Sequence, residues 1–181
     1  MEIEMTETLK EAAIIPPRPK YHDTAVVELA VEELLTPVQQ WIDLRAQFQP
    51  KDLKAHLTDC IHNNGYEYAK GLEERYGWEP NGDLVAVLDE MDIHEAHQKV
   101  VRAWVTLYNV KIPFKIGDRV CTPTIRAGTI TDLRRSTAKL VVQSDEDRDN
   151  GKPFGSHIDF EDAIPIIGTV GEPAAVEGGA A

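Results

Sequence analysis

Two clusters of histidine, cysteine and carboxylate hold the residue types best suited to chemistry in this 181-residue chain. His94 and His97 lie beside Glu90 and Glu95, and His56, Cys60 and His62 form a second soft-ligand group. Zinc-binding helices of the H-E-x-x-H type set two histidines four residues apart on one face with a glutamate between them. Here the spacing is three, and Glu90 precedes the helix that Asp92 is expected to start. At about 100° per residue, with Ile93 at zero, His97 falls about 40° and His94 about 100° from the apolar stripe. That separation predicts one packed histidine and one at the surface. His56 and Cys60 share a helix face while His62 points elsewhere, which leaves two ligands against zinc's usual four. The sequence therefore predicts no metal and no cofactor. Were a metal bound, His56, Cys60, His94 and His97 would be the first residues to test.

Other catalytic patterns are missing. There is no G-x-S-x-G, no phosphate loop and no cysteine in a catalytic context. Asp145, Glu146, Asp147, Asp149 and Asn150 supply oxygens but not the order of a calcium loop, and read as a solvated hairpin. No catalytic residue is assigned, and binding is expected in place of turnover.

The candidate contacts are charged or aromatic. The formal net charge is −12. Residues 21–115 hold 16 acids against 9 bases, and residues 116–168 hold 9 against 7. An acidic body repels phosphate, so direct nucleic-acid binding is disfavoured. Arg126, Arg134, Arg135 and Lys139 bracket two predicted strands. They read first as a solvated face, then as a basic strip for an acidic partner. Glu73, Glu74 and Glu79 are the acidic counterpart on the helices. Trp78 follows a glycine beside Pro80, where a tryptophan packs over a turn or faces a partner. Trp104 is core by its periodicity, and Phe114, Phe154 and Phe160 are expected in a second core.

These residues need elements to carry them. Residues 1–22 include Pro16-Pro17-Arg18-Pro19 and are expected to be a flexible, extended leader. Residues 23–110 carry helical periodicity. One helix starts at Asp23 or Thr24, and the capping box of Thr36-Pro37-Val38-Gln39 predicts a second from Pro37 to about Phe48. Pro50 opens a third. Asn63-Asn64-Gly65 reads as a C-cap, leaving open whether residues 50–76 form one helix or two. A short helix follows over Asp83–Glu90. The last, from Asp92 to about Tyr108, has an apolar face wide enough to be central.

From Pro113 the period changes from about 3.6 to 2. Strands are predicted over Phe114–Thr122, Ala127–Leu133, Ala138–Gln143, Gly155–Asp159 and Ala163–Ile166. Val120, Ile130, Val141, Ile158 and Phe160 are expected to face inward. Residues 169–181 should be a disordered tail. The fold class is α+β, an N-terminal helical region followed by a small barrel over residues 112–168.

Gly117-Asp118-Arg119-Val120, Gly128-Thr129-Ile130, Leu140-Val141-Val142 and Asp159-Phe160-Glu161-Asp162 resemble the SH3-like barrels. That resemblance covers about a third of the chain and implies a fold, not an activity. Helices followed by such a barrel are also similar to the nitrile hydratase β subunit, on Pro113-Phe114 and Gly117-Asp118-Arg119-Val120. That subunit's histidine-threonine-arginine segment is replaced here by Cys121-Thr122-Pro123-Thr124-Ile125-Arg126.

No stretch approaches the roughly 20 apolar residues of a membrane span. The acidic start, Met1-Glu2-Ile3-Glu4-Met5, lacks the basic residues of a secretory signal. A cytoplasmic protein is expected, with Cys60 and Cys121 as free thiols. The leading expectation is a non-catalytic adaptor, inhibitor or assembly subunit that binds another protein. The alternatives are an accessory, β-like subunit of a hydratase-type metalloenzyme and an acidic mimic of nucleic acid. Oligomeric state is left open.

Overall fold

The computed structural model describes residues 15–45 and 50–166. The start of the leader, the expected helix end near Phe48 and the expected tail lie outside them. The fold is α+β: five helices in the N-terminal part, then a five-stranded antiparallel sheet. The chain divides into two compact units, Met1–Tyr108 and Asn109–Ala181.

The first unit contains α1 (Thr24–Asp43), α2 (Leu53–Cys60), α3 (Gly65–Tyr76), α4 (Gly82–Asp89) and α5 (Ile93–Leu107). Side-chain caps start four of them. Asp52 accepts from the Ala55 amide, Asn64 from Glu67, Asn81 from Leu84 and Asp92 from Glu95. Each satisfies an N–H that the helix cannot, and losing one costs about 1 kcal/mol. Residues 50–76 are thus two helices, and Asn64 begins α3 where a C-cap was expected.

Gly65 has a steric reason to be glycine. A Cβ there would lie 2.7 Å from the Asp89 amide nitrogen and closer still to the Val85 carbonyl, so α3 meets α4 backbone to backbone. The Gly65 amide donates to the Asp89 carboxylate at that crossing. Gly77 ends α3 in the left-handed region at φ 67°, its amide donating to Glu73 O.

The expected break at Pro37 does not occur. α1 runs through it, burying Val26, Ala30, Val31, Leu34, Val38, Trp41 and Ile42 along one stripe. An interior proline forfeits a helical bond and costs about 3 kcal/mol. Burying Val38, Trp41 and Ile42 returns about 1.5–3 kcal/mol each, so continuity wins. This makes α1 the central helix, packed against α2, α4 and α5. α5 is peripheral, and Leu107 and Ala103 on its expected apolar face are exposed.

The second unit holds β1 (Arg119–Cys121), β2 (Gly128–Arg134), β3 (Lys139–Ser144), a helical turn α6 (Asp145–Asp149), β4 (Ser156–Asp159) and β5 (Ile164–Pro165). The sheet order is β4–β3–β2–β1–β5. No ladder pairs β4 with β5, so the sheet is open where a closed barrel was expected. β1 is shorter than its apolar run because Gly117, at φ 93°, turns the chain just before it. The core is Val120, Ile125, Ile130, Leu140, Val142 and Ala163, with Phe114, Ile158 and Phe160 packed on it.

Three expectations fail here. Val141 is not inward. Leu140 and Val142 are, since the run Leu-Val-Val is apolar on both faces and alternation cannot choose. Phe154 is not core but 82% exposed, in the segment before β4. The expected hairpin at Asp145–Gly151 is instead α6, because Ser144 caps it by accepting from the Asp147 amide. Three carboxylates in its first turn favour the positive end of that turn.

Candidate functional site

His94 and His97 stand on the first turns of α5 but serve the leader. His97 is 7% exposed, and its Nε2 donates to the Pro19 carbonyl at 2.9 Å. The Tyr21 ring stacks on the His97 ring at 4.0 Å. His94 is exposed and exchanges a 2.7 Å hydrogen bond with the Tyr21 hydroxyl through Nδ1. Farther along α5 the Trp104 indole N–H donates to the Pro16 carbonyl at 3.1 Å. The Arg18 guanidinium stands 5.3 Å from the Trp104 ring centre. Residues 16–21 are therefore laid on α5, a placement the sequence did not signal.

The second cluster is equally occupied. His56 Nδ1 accepts from the Trp78 indole at 3.2 Å, and its ring stacks on Tyr76 at 3.8 Å. His62 accepts from the Asn64 amide. Cys60 is buried against Gly71, and burial pushes its thiol pKa up, with the nearby Asp59 carboxylate adding to it and Arg75 opposing. Both cysteines are free. Among the described residues, no three His, Cys, Asp or Glu side chains are grouped to hold a metal ion. Trp78, a candidate partner contact, is 1% exposed and stacks on Trp41 in the helical core. Its indole is a structural donor and presents no surface.

The basic candidates divide between the two ends of one hairpin. Arg134 pairs in register with Lys139, and Arg135 opens the turn between them. Arg126 precedes the opposite end of β2, about 20 Å away at about 3.3 Å per residue. Arg134 contacts Asp132 at 3.2 Å and Lys139 contacts Asp159 at 3.5 Å, which halves the strip's net charge. Arg126 lines a cleft of about 540 Å³ with Asp145, Glu146 and Asp147. Asp145 and Asp147 have partners. Arg119 grips Asp145 through two nitrogens, holding that carboxyl below its ordinary pKa. The Ser144 hydroxyl and then Lys152 hold Asp147 down similarly.

The acidic candidates converge better. Glu73 and Glu74, both exposed on α3, line a groove of about 780 Å³ between α3 and α4 with Tyr66, Lys70 and Val85. Tyr66 is 62% exposed there. Lys70 reaches Glu74 at 3.8 Å and leaves Glu73 without an ion pair on the groove. Glu79 is exposed on the link between the helices and does not line it. Residues 65–90 carry seven carboxylates against Lys70 and Arg75 alone. The groove's walls are fixed by the Gly65 crossing and by Asn81, whose Oδ1 accepts from both Leu84 N and Trp41 Nε1. Tyr66 was not among the sequence candidates, because the groove it lines is completed by α4, which helical spacing around Tyr66 does not reveal.

No helix of the described residues is long and apolar enough to cross a membrane. No family model, curated protein or solved structure matches the chain.

Proposed function

We propose that this protein is a cytoplasmic, non-catalytic binding protein whose α3–α4 face takes a basic surface of another protein. The groove between those helices carries the reading. It is open, it exposes an aromatic ring at one wall, and it sits in a field of seven carboxylates and two cations. Tyrosine supplies contact area with few rotamers to freeze, and surrounding charge of one sign steers an oppositely charged partner. The same face supports a second, narrower reading, an inhibitor that offers carboxylates where its target expects phosphates.

The test is recovery of partners from the native host by three forms of the full chain. Reversal of Glu73, Glu74 and Glu79 to lysine should abolish capture. Reversal of Arg134 and Arg135 to glutamate should not. Capture that survives the first set and fails with the second would move the interface to the hairpin and refute the proposal. A captured protein that releases when nucleic acid is added would support the mimic.

A further inference from the structure

We propose that the face of α5 bearing His97 and Trp104 is a receptor for polyproline. In this reading Pro16–Pro19 fills it in cis, and a proline-rich segment of a partner protein displaces the chain's own. This rests on the reading of the molecule as a binding protein but uses a different surface.

The geometry is a match of two repeats. A polyproline helix has about three residues per turn and rises about 3.1 Å per residue, so in that conformation carbonyls three residues apart, as those of Pro16 and Pro19 are, would point the same way about 9 Å apart. Trp104 and His97 are seven residues apart on α5, about two turns and 10.5 Å. The Trp104 indole donates to the first carbonyl and the His97 ring to the second. The two segments run antiparallel. Neither bond reads a side chain, and proline has no N–H of its own to satisfy, so the donors read a backbone shape. Among the side chains of this segment, the Arg18 guanidinium lies over the Trp104 indole. Any segment with prolines at the same spacing and a cation next to the last would meet the same groups.

The receptor is also built to need an occupant. Trp104 is 6% and His97 7% exposed with the leader in place, and each directs its polar N–H into it. Uncovered, these donors would have only water. The occupant is tethered close to its site. The turn from Lys20 to Asp23, closed by the Asp23 amide on Lys20 O, joins it directly to α1 at Thr24. Tyr21 clips it through His97 and His94. A tethered ligand lowers the apparent affinity for a free one in proportion to its occupancy.

The probe is a labelled peptide with the sequence of Ile15–Tyr21, titrated against the full chain by anisotropy. The parent chain should bind weakly. A chain with Pro16, Pro17, Arg18 and Pro19 all changed to glycine should bind at least about tenfold tighter, because its own segment keeps the carbonyls but loses the preformed polyproline shape and the Arg18 cation. Adding Trp104→Phe, which keeps a ring and removes the donor, should weaken that binding again. Equal affinity for parent and glycine chains, or binding indifferent to Trp104→Phe, overturns the proposal. If the glycine chain does not fold, the Trp104 indole N–H resonance of the parent is followed at millimolar peptide. A saturable shift supports displacement and none refutes it. A dimer of the parent that the peptide dissociates would make a second copy the occupant and overturn the assignment to a different protein. Failure here leaves capture by the α3–α4 face untouched, since no residue is shared.

Discussion

Cys60 shows how far burial alone decides reactivity. Its thiol titrates higher than usual chiefly because the helical core desolvates the thiolate, which is the nucleophile. Native protein at neutral pH should therefore leave Cys60 unalkylated by iodoacetamide over minutes, whereas denatured protein should take label at Cys60 and Cys121. Peptide mass mapping reads the difference, and rapid native labelling of Cys60 would contradict the packing. The carboxylates around α6 give a second residue-scale expectation. Asp145 and Asp147 have depressed pKa values in the folded chain, through Arg119 and Ser144 respectively. A depressed carboxylate stabilises the fold above its unfolded pKa of about 3.9, and that contribution is lost as pH falls below it through the folded value. Amide protection across α6 should thus hold above about pH 4 and fall in more acid solution. Protection unchanged down to about pH 2 would show that these contacts do not hold the turn. Single-residue chemistry was partly legible in the sequence. The angle count separated His97 from His94 because helix periodicity is local. What they bind was not legible, since Pro19 and Tyr21 lie more than 70 positions away in the chain.

At the scale of elements, the conflict at Pro37 can be measured. Pro37→Ala returns an amide that can donate to Glu33 O inside α1, against a small loss of rigidity in the unfolded chain. The variant should be more stable than the parent by about 2–3 kcal/mol in urea unfolding. A destabilised variant would mean that the proline ring itself is packed to advantage. Gly65→Ala should act oppositely. Its Cβ meets the backbone of α4, which cannot swing aside, so overpacking of about 1–3 kcal/mol is expected. It should also open the α3–α4 groove, and partner capture should fall with stability. Gly82→Ala, with open space at that Cβ, is the control for stability. The capping signal at Asp92 was readable because caps act within four residues. Pro37 and Gly65 misled for the opposite reason. Their roles are set by the burial of Val38, Trp41 and Ile42 against other helices and by Asp89, 24 positions from Gly65, neither of which the local pattern reveals. In the sheet, Val141 was assigned the wrong face because the bulge between Ile130 and Asp132 and the uniformly apolar run remove any local cue to register.

Across the whole molecule, stability should be uneven. Among the described residues the helical unit buries thirteen side chains in one cluster and three in another, while the sheet unit buries six. Among the described residues each of these clusters lies within one unit. A small core at about 25 cal/mol per Å² leaves little surplus over chain entropy, and an open sheet adds two edge strands whose amides meet water. β5 is only two residues long and both are exposed, so that edge should open first. Native-state hydrogen exchange should therefore find the slowest amides in α1 and α3. Those of β2 and β3 should exchange at least about tenfold faster, a gap of about 1.4 kcal/mol in opening free energy, and β5 should be the least protected. Uniform protection across helices and sheet would mean that the chain opens as one cooperative body, and the two cores could not then be treated as separate. The charge distribution gives the experiment an internal control. The helical unit carries most of the excess carboxylate, so raising salt screens its self-repulsion and should slow exchange there, while the sheet, with 9 acids against 7 bases over residues 116–168, should respond little.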